Sequence, residues 1–248
     1  GIPDESPVGA GPSPGVKQIF EAMGTIVSLR CPAGSTAAVE QIFSGLEARF
    51  SLYREDSEAS RMARGELLLK DASTEMRSMY ALAHDWRVAT DGAFQPHRPD
   101  GVIDLAGVVK AEAIRRSGEL LASTGEAWLV NAGGDVLTSG EGVVGIVAPT
   151  DRGRLLSQFT TTTTHRAVAT SGTAERGEHI WRVGSRSEFT QVTVAAPDII
   201  TADALATAIV AGGQRTLDKM VREHPIQVLA VGYDGSLAAT SAFRRPAG

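Results

Sequence analysis

Residues 127–147 decide the fold. Ala127-Trp128-Leu129-Val130 and Val143-Val144-Gly145-Ile146-Val147 are apolar enough for buried strands, with the glycine-bearing turn Asn131-Ala132-Gly133-Gly134-Asp135 between them. No helical pattern separates the two runs. Downstream, the β-branched run Thr160 to Thr164 favours extended chain and Val192 to Ala196 reads as another strand. Apolar helices over Thr201–Ala211 and Thr216–Arg222 follow, and Gln227 to Val231 with Asp234-Gly235 reads as a terminal hairpin. Upstream, Val108 to Ser123 is helical, Val102-Ile103-Asp104-Leu105 is a short strand, and Asp91-Gly92-Ala93-Phe94 turns the chain. Thr74 to Thr90 is a helix presenting Met76, Met79, Ala83 and Trp86 on one face, and Ser51 to Arg61 is a polar loop. Ser35 or Thr36 caps a helix whose Val39, Ile42, Phe43, Leu46 and Phe50 follow the helical period. Gln18 to Leu29 is strand, interrupted at Met23-Gly24-Thr25. Strands and helices mix without regular βαβ alternation, so the expected class is α+β, with mixed, largely antiparallel sheets packed with helices. The Pro/Gly-rich residues 1–16 read as a flexible tail, and residues 17–248 as one domain.

The chain has 248 residues, and its 24 Lys+Arg against 29 Asp+Glu give a net charge of −5. Mild acidity with scattered basic residues argues against nucleic acid as a partner, because that binding relies on clustered cations releasing counterions. Cys31 is the single cysteine, which excludes an internal disulfide and a four-cysteine zinc site. No stretch reaches the ~18 consecutive apolar residues of a spanning helix. The start, Gly1, is followed by no charged-then-apolar leader, which leans the reading toward the cytoplasm. An extracytoplasmic place stands if a signal or lipobox was removed.

Two arrangements carry chemistry. In Thr201-Ala202-Asp203-Ala204-Leu205-Ala206-Thr207, Asp203 and Thr207 are i and i+4 on a helix and share a face. A carboxylate and a hydroxyl one turn apart suit a hard cation such as magnesium. The same residues suit a plain helix start, with Thr201 as N-cap and Asp203 as a first-turn acid. In Asp104-Leu105-Ala106-Gly107-Val108-Val109-Lys110 an acid closes a strand and a lysine sits in the first helical turn. Unpaired N–H groups there, with Lys110, could face phosphate, or the segment is a simple strand-to-helix junction. Asn131 to Asp135 allows close backbone approach or is a turn. Ser171 with His179 does not make a hydrolase, for no Gly-x-Ser-x-Gly elbow surrounds the serine. His84, His97, His165 and His224 lack the spacing of a metal pair.

Taken in order along the chain, Met23-Gly24-Thr25, Phe50-Ser51-Leu52-Tyr53-Arg54, Asp91 to Phe94, Asp104 to Lys110, Asn131 to Asp135, Thr170-Ser171-Gly172, His179-Ile180 and Ala202 to Thr207 resemble the ApbE-like family of FAD:protein FMN transferases. The resemblance implies magnesium-dependent transfer of FMN from FAD to a Thr or Ser hydroxyl of an acceptor protein, with release of AMP. It implies that Asp203 and Thr207 ligate Mg2+ by side chain and Gly107 by carbonyl, and that Lys110 lies against the pyrophosphate. It places Met23, Tyr53, Ala93, Phe94, Gln95, Asp104 and Ile180 around FAD, with Tyr53 stacking on an aromatic ring. His179 is implied to help deprotonate the acceptor hydroxyl. Four places depart from the family pattern: Gln95 replaces an acid, Ala111 a glycine and Arg115 an acid, and Trp181-Arg182-Val183 replaces an Asp-Pro turn. These departures keep two alternatives in play, an FAD-binding carrier or sensor without transfer and a metal-dependent FAD pyrophosphatase.

Overall fold

The computed structural model describes residues 16–172 and 188–243. Its strands are β1 (Val16–Ala22), β2 (Thr25–Cys31), β3 (Leu129–Ala132), β4 (Asp135–Thr138), β5 (Gly142–Ala148), β6 (Asp151–Thr161), β7 (Ala167–Gly172), β8 (Phe189–Ala196), β9 (Gln227–Gly232) and β10 (Leu237–Ala239). The helices are α1 (Thr36–Phe50), α2 (Glu58–Ala63), α3 (Thr74–Ala89), α4 (Ala106–Ala122) and α5 (Ile199–Glu223). Eight strands form one sheet in the order β1-β2-β3-β4-β7-β8-β9-β10, every neighbouring pair antiparallel, and β5 and β6 form a separate two-stranded ribbon. The architecture is α+β.

Side-chain alternation sorts the sheet into two faces. Leu137, Ala167, Ala169, Val194, Ala196, Val228 and Ala230 join the helices in the larger core, together with Ile114 of α4 and Leu205 and Ile209 of α5. Val136, Val168, Ala195 and Leu229, one residue out of phase, meet Val144, Ile146 and Phe159 of the ribbon in a second, smaller core. Gln191 on β8 fixes the ribbon by donating to Val147 O at 3.0 Å. On the helical side, Glu75 of α3 receives Arg49 of α1 and, at 2.6 Å, Arg116 of α4. Glu112 in turn takes both Arg115 and Arg116 at 2.7 Å.

Several local expectations need correction. The interruption at Met23-Gly24 is the two-residue turn of the β1–β2 hairpin, with Ala22 opposite Thr25 and φ of 52° and 69°. Positive φ at both central residues matches the right-handed strand twist, and Met23 is held there by packing on the core. Strand β1 begins at Val16, one residue inside the expected tail; the rest of that tail lies outside the described residues. The expected loop over Ser51–Arg61 contains α2, capped by Ser57, whose hydroxyl accepts from Ser60 N. The strand expected at Val102–Leu105 is only a single bridge, Ile103 to His97. Of the threonine run, Thr160 and Thr161 end β6, and the rest turn the chain. The two expected C-terminal helices are both present, joined within α5 across a kink at Gly213 (φ 69°, ψ −157°).

Candidate active site

Three charged side chains converge where α4 and α5 pack together over the helical face of the sheet. Lys110, one turn into α4, reaches β4, where its Nζ lies 2.5 Å from Asp135 Oδ2. Asp135 is the first residue of its strand and fully buried, and its Oδ1 accepts from Thr170 N of β7 at 3.0 Å. Burial pushes the Asp135 carboxyl up to about 6; Lys110 pulls against that, and the charge of Asp203 adds to it. Asp203 on α5 is also fully buried. In sequence Asp135 closes a segment that reads as a close backbone approach or a turn, with no role for its side chain. The overlooked signal is period two: Asp135 lies two residues before Leu137, so it points to the helical side.

The helix start differs from the expected one. Asp198, not Thr201, caps α5, accepting from Thr201 N at 2.8 Å and from Thr201 Oγ1 at 2.7 Å. Asp203 therefore stands in the second helical turn, buried, and is no first-turn dipole acid. One turn on, Thr207 Oγ1 lies 3.1 Å from Ser171 Oγ of β7, a serine engaged with the helix and not poised as a nucleophile. Helix α4 starts at Ala106, whose N–H donates to Asp104 Oδ1 at 3.0 Å. Gly107 is its second residue, and its carbonyl points along α4 as helical carbonyls do.

Among the described residues no three His, Cys, Asp or Glu side chains gather as a metal cluster. The donor set still fits a hard cation. On α5 it offers a carboxylate (Asp203) and, one turn on, a hydroxyl (Thr207); the Gly107 oxygen expected with them lies on α4. Two neighbouring buried carboxylates, Asp135 and Asp203, also concentrate anionic oxygen where a divalent ion would bind.

The other expected FAD contacts are spread over several elements. The Met23-Gly24 hairpin lies against the Asn131–Asp135 turn: Gly133 N donates to Ile26 O at 3.1 Å, and a Cβ added at Gly133 would stand 2.6 Å from Thr25 Oγ1. Tyr53 is 88% exposed, so its ring is available for stacking. Its loop is tied down by Ser51 O, which accepts from Ser57 Oγ at 2.5 Å and Ser60 Oγ at 3.2 Å. Phe50 and Met62, flanking that loop, share a small internal gap with Ile103 and Leu105, on either side of Asp104. Ala93 packs at Gly212, about two and a half turns beyond Asp203, or about 14 Å along the helix axis. Phe94 is buried in the core and its N–H donates to Thr90 Oγ1, so its side chain serves packing. Gln95 is exposed, accepting from Arg87 Nε at 3.2 Å and donating to Gly92 O at 2.9 Å. Of the other departures, Ala111 is buried in α4 and Arg115 pairs with Glu112 and Glu119 on its surface. His179, Ile180 and Trp181 to Val183 lie outside the described residues.

Comparison with known proteins agrees with the fold. The ApbE protein of Thermotoga maritima superposes with a TM-score of 0.73 at 19% identity, over 91% of this chain and 97% of that one. The Pseudomonas stutzeri flavinyl transferase ApbE in its apo form gives 0.72 at 19%, over 91% and 95%. Flavin transferase ApbE from Vibrio cholerae gives 0.69 at 19%, over 93% and 98%. No curated protein matches the chain. The sequence model of the ApbE family matches residues 23–98 and 95–230. Those two segments take in every described element from β2 to α5 and both charged helices of the site, and the chain belongs to the ApbE family.

Proposed function

We propose that the protein transfers FMN from FAD to a Thr or Ser hydroxyl of an acceptor protein, dependent on Mg2+ and releasing AMP. The observation that carries this reading is the pairing of Lys110 with the buried Asp135 beside the buried Asp203, a cation and two carboxylates where a pyrophosphate and its metal would meet. Family membership and the transferases named among the structural relatives support it.

In this reading the acceptor hydroxyl oxygen bonds to the FMN phosphorus. The pyrophosphate P–O bond breaks, AMP leaves with the bridging oxygen, and the hydroxyl proton passes to a base, the role assigned to His179. No covalent enzyme intermediate is needed, so the protein's work is positioning and charge neutralisation. Asp203, Thr207 and the Gly107 carbonyl would hold Mg2+, which when bound neutralises charge on the phosphate oxygens. Lys110 would sit against the pyrophosphate. Asp104, Met23 and the exposed ring of Tyr53 would hold the rest of the dinucleotide.

The test combines the purified chain, FAD, Mg2+ and an acceptor domain modified by a family transferase. Mass spectrometry should find acceptor bearing one FMN for each AMP released. AMP with free FMN and unmodified acceptor would replace transfer by hydrolysis. FAD bound and recovered intact would leave a carrier.

A further inference from the structure

Lys110 leaves α4 near its N-terminus and is 22% exposed at its side chain, with a long stem that gives it many rotamers. Its partner has none of that freedom. Asp135 is enclosed, one oxygen fixed by the Thr170 N–H and the other on the lysine, at the junction of β4 and β7 beneath α4. The two-glycine turn before it sets where the strand begins, because Gly133 has a φ of 62° and leaves no room for a side chain against Thr25. A buried acid with a fixed position thus holds a long-stemmed cation at the edge of the charged cluster.

We infer that Asp135 is a positioning residue, holding the Lys110 ammonium at the point where the pyrophosphate of FAD is received. The inference rests on the proposed function and deepens it. Asp135 touches no substrate; it acts through the lysine, and the Thr170 bond carries the position of the sheet to the ammonium. Buried charge pairs of this kind contribute little net stability compared with apolar residues, so orientation is the role that suits the pair. A freed lysine would lose its preorganisation and with it part of the phosphate binding.

A double-mutant cycle tests this, with FAD affinity measured by calorimetry in the presence of Mg2+ and turnover as a second readout. Asp135→Asn keeps the shape and an oxygen for Thr170 N but removes the grip. Lys110→Gln removes the ammonium. Each single variant should weaken FAD binding about tenfold or more, and the double variant should be no weaker than the worse single within about threefold. Losses that multiply in the double variant would show Asp135 acting independently of Lys110 and overturn the inference. So would unchanged affinity in Asp135→Asn. If Asp135→Asn does not fold, Asp135→Ser takes its place, and failure of both to fold would assign the carboxylate to the fold instead. Wild-type protein that binds FAD but modifies no acceptor would sink the transferase reading and leave the cycle readable on binding. Wild-type protein that binds no FAD removes both.

Discussion

Asp203 is a residue whose environment changes what its replacement should do. A solvent-exposed first-turn acid would contribute about 0.3–1 kcal/mol through the helix dipole. Asp203 is instead buried next to a second carboxylate, whose protonation its charge favours. Asp203→Asn should therefore abolish Mg2+-dependent FAD turnover in a protein whose cooperative melt shows that the fold is kept. An active variant, followed by AMP release, would refute the metal assignment. His97 offers a separate check at this scale. It packs edge-on against Tyr80 at 5.6 Å, with Tyr80 Oη 3.3 Å from its Nε2. Burial lowers its pKa, and the nearby Arg87 and His84 lower it further. The folded state disfavours the charged ring, so protonation favours unfolding: stability falls as pH drops through the ordinary histidine range toward the lower folded value. Imidazole NMR should find His97 titrating below the ordinary value, and His97→Gln should flatten the loss of melting temperature between pH 7 and 5.

Helix α5 shows at the scale of elements what a sequence pattern can and cannot reveal. Its apolar period predicts a helix on each side of Gly212-Gly213, but not the geometry of the kink that joins them. Gly213 takes φ 69° and ψ −157°, and beside it Glu188 accepts from Gln214 N at 3.0 Å, covering a donor that the break exposes. Glu188 is remote in sequence, so no local window contains it. Gly213→Ala should cost about 1–3 kcal/mol, because that backbone region is essentially restricted to glycine. Urea denaturation checks it, with a lower midpoint and an unchanged slope expected. The same limit separates the site residues. Asp203 and Thr207 are legible because helical spacing alone puts them on one face. Asp135 is not, because its meaning depends on Lys110 and Thr170 arriving from α4 and β7. The region over residues 51–61 is misread because its polar composition hides α2, which is ordered by Ser57 and by the burial of Ala59.

Across the whole molecule the α+β class follows from alternating strands and periodic helices. The two-sided sheet does not, because only the structure shows which of two out-of-phase apolar sets meets the ribbon. A ligand gripped by elements as scattered as the β1–β2 hairpin, α4 and α5 should stabilise the whole assembly. With FAD at about 100 times its dissociation constant, binding adds about 2.7 kcal/mol, which for a domain of this size raises the melting point by about 5–10 °C. Differential scanning calorimetry with and without FAD and Mg2+ measures this, and no shift would argue against binding.

The strand order also dictates the history of each molecule. β2 and β3 lie side by side, Val27 opposite Ala132, yet residues 32–128, with α1 to α4, separate them in the chain. The β1–β2 hairpin, made before those residues, waits for all of them before its inner edge is covered. Closure across so long a loop is entropically late and slow. During that interval β2 presents unpaired backbone groups to any neighbouring chain, which makes the newborn protein more prone to association than its finished sheet is.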